Sequence, residues 1–79
     1  MNIKILGSGC AKCNTLEKIV KKAISQLEID ATVEHITDMV TIIKYGVMMT
    51  PALVINEKLI SSGKSYSSKA MKKLLESLI

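Results

Sequence analysis

Cys10 and Cys13 stand three positions apart in Gly7-Ser8-Gly9-Cys10-Ala11-Lys12-Cys13, and the chain has no other cysteine. Two thiols at that spacing admit three chemistries: a disulfide that opens and closes, a clamp for a soft metal or metalloid, or inert thiols in a core. Their place in the chain bears on the choice. The pair follows an apolar run and opens a helical pattern, so Cys10 falls where a strand turns into a helix. Unpaired backbone N–H groups and the positive dipole end of the helix favour a thiolate there and lower the thiol pKa. Lys12 adds a nearby positive charge. Cys10 is therefore the candidate nucleophile. Cys13 lies three residues before Leu16 and seven before Val20, on the stripe the helix buries, and is the candidate resolving thiol. Such a pair reduces a disulfide by exchange and ends as an internal Cys10–Cys13 disulfide, so no other cofactor is expected. Gly7 and Gly9 allow a sharp turn and leave the nucleophile uncovered.

The elements that must position this pair follow from periodicity. Asn2 to Leu6 reads as an interior strand, and Ala11 to Leu27 as an amphipathic helix with Leu16, Ile19, Val20, Ala23, Ile24 and Leu27 inward. Glu17 and Lys21 are spaced for an ion pair on its outer face. Ala31 to Ile36 predicts a second strand. Thr37 or Asp38 caps a short helix containing Met39, Val40, Ile42 and Ile43, ended by Gly46. Ala52 to Ile55 and Lys58 to Ser61, split by Asn56-Glu57, predict a hairpin. Ser67 or Ser68 caps a last helix with Ala70, Met71, Leu74, Leu75 and Leu78 inward. The expected order is β-α-β-α-β-β-α: an α/β fold with a four-stranded mixed sheet and helices on both faces. With 79 residues, a single domain spanning 1–79 is expected.

Composition narrows the function. Hydrophobic residues make up 48% of the chain without phenylalanine or tryptophan, so the core is aliphatic. The net charge of +4 comes from eleven lysines and no arginine. Without arginine forks or aromatic stacking platforms, no nucleic-acid partner is expected, and the lysines read as a solvated surface. No secretory signal or membrane-spanning run is visible, so a cytoplasmic monomer without membrane attachment is expected. Two cysteines cannot staple a small secreted domain; in a reducing compartment a close pair points to catalysis or metal binding.

Pro51 immediately precedes the third strand, where its missing N–H is tolerable. If that strand lies beside the first, Thr50-Pro51 falls near the cysteine loop. A cis bond there would free the Thr50 backbone to pair with an extended substrate.

Together, Cys10-Ala-Lys-Cys13 after the first strand and Thr50-Pro51 before the third resemble the thioredoxin superfamily. Tyr45-Gly46-Val47 and Gly63-Lys64 bring the chain closer to the small, glutaredoxin-sized redox-active disulfide proteins of bacteria and archaea. The resemblance covers essentially the whole chain. It implies thiol–disulfide oxidoreductase activity on disulfide-containing proteins, with Cys10 attacking, Cys13 resolving, and Thr50 with a cis Pro51 shaping the substrate groove. A thioredoxin-reductase-type electron donor is implied as well. Ala11-Lys12 replaces the Gly-Pro of thioredoxins and the Pro-Tyr of glutaredoxins, and Gly9 replaces the usual tryptophan; Gly9, Ala11 and Lys12 are the candidate tuning residues. The first strand has no acidic residue to serve as buried proton acceptor, and Ser61-Ser62-Gly63-Lys64 departs from the glutathione-holding Gly-Gly-Asp.

Soft-metal or metalloid carriage by the Cys-x-x-Cys thiolates is the alternative. Metallochaperones with this motif run β-α-β-β-α-β, unlike the order read here, and two thiolates are incomplete for structural zinc. His35, the sole histidine, reads as a surface or edge-strand residue rather than a third ligand. A third possibility is a non-catalytic interaction module using the groove beside Pro51, with Met48 and Met49 exposed; ordinary packing is the simpler reading for both methionines.

Overall fold

A computed structural model of the chain describes residues 1–7, 11–47 and 49–78. Its elements follow the expected order: β1 (Asn2–Leu6), α1 (Ala11–Leu27), β2 (Thr32–Ile36), α2 (Met39–Lys44), β3 (Ala52–Ile55), β4 (Lys58–Ser62) and α3 (Ser68–Ser77). The sheet order is β2-β1-β3-β4. Strands β1 and β2 are parallel, while β1–β3 and β3–β4 are antiparallel. The two central strands are the most apolar, because both of their faces must be covered.

Alternation along the central strands sorts side chains between two cores. Ile3 and Ile5 of β1 meet Leu53 and Ile55 of β3 on one face, under Leu16, Val20 and Ala23 of α1 and Met71 and Leu75 of α3. Leu6, Ala52 and Val54 point the other way, against Ile42 of α2. Helices thus flank both faces, unequally: α1 and α3 cover the larger core. The α3 seam is narrower than the sequence pattern suggests. Met71 and Leu75 are buried, but Ala70 is exposed and Leu78, at the C-cap, is 42% exposed. Met71 and Leu75 form the fully buried i, i+4 pair of this ten-residue helix and Leu74 packs partly against the same core, while the outer apolar residues meet solvent.

Local chemistry explains the boundaries. The Asp38 carboxylate caps α2 by accepting from the Thr41 backbone N–H and hydroxyl, and Ser67 caps α3 by accepting from the Ala70 N–H at 3.1 Å. Gly46, at φ +77°, follows the Tyr45 cap and donates its N–H to Ile43. In the hairpin, Asn56 and Glu57 have φ of +51° and +67°. Positive φ at both central residues matches the right-handed twist of the strands, the reason Asn-Gly usually occupies such turns.

One lysine departs from the solvated surface. Lys4 faces the α2 side of the sheet with its side chain 15% exposed, and its ammonium donates to Glu57 Oε1 at 2.6 Å and Tyr45 Oη at 2.9 Å. The Tyr45 hydroxyl donates in turn to Glu57 Oε2 at 2.8 Å. The triangle joins β1, the end of α2 and the hairpin turn. Its hydrogen bonds hold the Lys4 ammonium above its ordinary pKa and the Glu57 carboxyl below its own.

No described helix is long and apolar enough to cross a membrane.

Candidate functional site

The expected nucleophile, Cys10, and the expected tuning residue Gly9 lie outside the described residues, as does Met48. The surrounding elements are defined on both sides. Gly7 continues the line of β1, donating its N–H to Ile36 O at 2.9 Å. Helix α1 begins at Ala11, immediately after Cys10; its first turn has no acidic residue. The first backbone N–H groups of a helix have no intrahelical acceptor and carry partial positive charge. Ala11 and Lys12 are both exposed there.

Cys13 is fully buried, in register with Leu16, Val20 and Ala23 on the inner stripe of α1. Its sulfur packs against Gly7: a Cβ added at residue 7 would overlap Cys13 Sγ and lie 3.4 Å from Cys13 Cβ. The same Cβ would stand 3.7 Å from Thr50 Cβ. Cys13 Sγ and Thr50 Cβ therefore both border the space that a side chain on residue 7 would fill. The requirement at Gly7 is space for the thiol; its φ is not positive, so the turn expected from the sequence does not itself call for glycine at this position.

Thr50 and Pro51 arrive from the other side. Strand β3 runs antiparallel to β1, with Leu6 opposite Ala52, so the end of β1 and the start of β3 share one edge of the sheet. The Thr50–Pro51 peptide bond is cis, with Pro51 buried and Thr50 exposed. This segment is tied to the strand beyond it. The Ser62 hydroxyl donates to Met49 O at 2.8 Å and accepts from Met49 N–H at 3.0 Å, and the Gly63 N–H donates to Pro51 O at 2.8 Å. Gly63, at φ +70°, passes so close to Met49 that a Cβ would come within 2.8 Å of Met49 Cβ. Met49 otherwise projects into solvent.

Sequence reasoning missed Ser62 as a fastener, since a serine at a strand end has no distinguishing pattern. It also missed the groove beside Pro51 as a specific set of residues: Ala11, Lys12, Thr15, Leu16 and Ile19 of α1 face Pro51 and the Lys64-Ser65-Tyr66 segment across about 170 Å³. His35 lies on edge strand β2 as expected, yet its ring is half-buried, with Nδ1 3.1 Å from Glu17 Oε1. Glu17 also pairs with Lys21 at 3.3 Å, the spacing read from the sequence.

A family model described as a thioredoxin domain matches residues 1–76. The chain belongs to the thioredoxin family. It is 39% identical over 75 residues to a thioredoxin of Methanothermobacter thermautotrophicus, an alignment covering 95% of this chain and 97% of that protein. To a thioredoxin of Methanocaldococcus jannaschii it is 36% identical over 77 residues, covering 98% of this chain and 88% of the relative. Thioredoxin-family membership supports a thiol–disulfide oxidoreductase type of function, with disulfide-containing substrates as partners in the general sense. The soft-metal reading gains no support from these relatives, and no group of three or more His, Cys, Asp and Glu residues stands together among the described residues.

Proposed function

We propose that this thioredoxin-family chain reduces protein disulfides through a cycling Cys10–Cys13 pair. One observation carries the reading: a fully buried Cys13 packed on Gly7, with Thr50 bordering the same space beside that glycine. The Cys10 thiolate attacks one sulfur of the substrate disulfide. The substrate S–S bond breaks, a mixed disulfide forms, and the first substrate thiolate leaves and takes a proton from solvent. Cys13 then gives up its proton and attacks the Cys10 sulfur. The mixed disulfide breaks, the Cys10–Cys13 bond forms and the second substrate thiolate departs. Two electrons pass from protein to substrate, and a dithiol donor of the thioredoxin-reductase type reverses the exchange to reset the pair.

The remaining roles belong to the same proposal. The exposed Thr50 offers its backbone to an extended substrate, Pro51 walls the adjoining groove, and Gly9, Ala11 and Lys12 set the potential of the pair. The chemistry needs no metal or organic cofactor and suits the reducing cytoplasm.

Reduction of a disulfide-bonded protein with dithiothreitol as electron source tests the proposal. Wild type turns over, Cys10→Ser abolishes turnover, and Cys13→Ser accumulates a mixed disulfide visible on non-reducing gels. Absent turnover together with stoichiometric tight uptake of a soft metal would sink the reading. A titration in which Cys13 is more acidic than Cys10 would exchange the two roles.

A further inference from the structure

The groove beside the cysteine motif carries charge of one sign. Its lining includes the apolar Leu16, Ile19 and Pro51 together with Lys12 of α1 and Lys64 of the segment after β4. Lys64 Nζ sits 5.1 Å from the centroid of the Tyr66 ring, which also lines the groove, so attraction to the ring face holds the ammonium beside another lining residue. None of the seven aspartates and glutamates of the chain lines the groove. The carboxylates with defined partners are engaged elsewhere: Glu17 with His35 and Lys21, Glu57 with Lys4 and Tyr45, Asp38 with Thr41. Among the described residues neither Lys12 nor Lys64 forms an ion pair. A cleft with apolar lining residues and two unneutralised ammonium groups favours a ligand of matching polarity.

We infer that the groove selects among protein disulfides, taking an extended substrate segment in which an aspartate or glutamate flanks an apolar residue beside the reacting cysteine. The inference rests on the proposed disulfide-reductase reading. Pro51 gives the connection, because it both lines the groove and follows Thr50. A segment running past Thr50 lays its apolar side chain over Leu16 and Ile19 and brings its carboxylate between Lys12 and Lys64. Lys64 is the specificity residue; the sulfur exchange itself uses none of its atoms.

Three peptides with one internal disulfide and a Glu-Leu, Gln-Leu or Lys-Leu flank test this, using prereduced protein in single-turnover stopped flow. The expected order of second-order rate constants is Glu over Gln over Lys, with about three- to tenfold between the first two in dilute buffer. The spread shrinks as sodium chloride shortens the screening length to about 3 Å at 1 M. Lys64→Glu inverts the order, whereas Lys22→Gln, on the outer face of α1, preserves it. Equal rates for all three peptides in wild type, or an order unmoved by Lys64→Glu, would overturn the inference and leave the reductase reading standing. Failure to reduce any peptide or protein disulfide would bring down both. A flank-independent preference for glutathione disulfide would also overturn it, by assigning the groove to a small anionic disulfide.

Discussion

The Cys13 sulfur occupies the space into which a side chain on residue 7 would project, so Gly7 and Cys13 share one volume. Cys13 is wholly buried, and Gly7, one residue past the doubly paired β1, is tied to Ile36 by its N–H, which restricts how far either partner can move. Gly7→Ala is expected to cost about 1–3 kcal/mol, as overpacking of a close-packed core does. Urea denaturation of the reduced protein measures it. Under the proposed mechanism disulfide reduction should fall with it, because the methyl group displaces the Cys13 sulfur.

The Ser62 hydroxyl holds both backbone groups of Met49, one residue before Thr50. Ser62→Ala removes two hydrogen bonds with one atom and should cost about 1–2 kcal/mol. Under the proposed function its signature is a higher KM for protein disulfides, since the Thr50 segment loses its tether while Cys13 keeps its packing on Gly7. Steady-state reduction assays separate that from a fall in kcat.

The Lys4–Tyr45–Glu57 triangle makes stability depend on pH at both extremes. Glu57 is depressed by hydrogen bonds from Lys4 and Tyr45, so its contribution is complete above 4.5, its ordinary value, and drains away as pH falls through the folded value. Lys4 is raised chiefly by its hydrogen bond to Glu57, so its contribution is complete below 10.5 and is lost as pH rises through the folded value. Wild type should be more stable than Glu57→Gln at pH 7, with the gap closing below pH 4.5. Against Lys4→Met the gap should close above pH 10.5. Denaturant midpoints across pH give both curves. Asp38, depressed by its bonds to Thr41, weakens the protein on the same acid side.

Ser67 accepts the Ala70 N–H at the start of α3, whose burial rests mainly on Met71 and Leu75. Ser67→Ala should cost about 1 kcal/mol, read as a lower Tm without loss of disulfide reduction, because no residue of α3 lines the groove beside Pro51.

The element order was legible because each helix shows a 3.6-residue stripe and each strand ends at a turn-forming pair. Ala11–Leu27 and Asn2–Leu6 emerge with the expected bounds, and the burial of Cys13 follows from its register with Leu16 and Val20. Other features depend on contacts distant in sequence. Lys4 reads as one more surface lysine until folding brings Tyr45 and Glu57, 41 and 53 residues away, to its ammonium. Gly7 reads as a turn residue because no local pattern encodes the approach of a sulfur. Asn56-Glu57 lacks the glycine of a strong hairpin signal, yet takes positive φ at both positions, with Asn56 tied to Asn2 through backbone and side chain. Lys64 and Tyr66 had no reason to be read with Lys12 until the chain closed the groove between them.

The sheet order has a consequence for fluctuation. Strands β1 and β3 lie innermost, and the candidate site grows from their shared edge, with Gly7 bonded outward to Ile36 and Pro51 outward to Gly63. Opening either end locally would require breaking pairings on two sides of a central strand. Amide hydrogens of Leu6 and Leu53 should therefore exchange with solvent only through whole-molecule unfolding, while those of the six-residue α2, which exposes Met39, Val40 and Ile43, exchange through small local excursions. The candidate site is thus expected to rest on the slowest-exchanging part of the chain, so that the proposed disulfide exchange would proceed there without first loosening the fold.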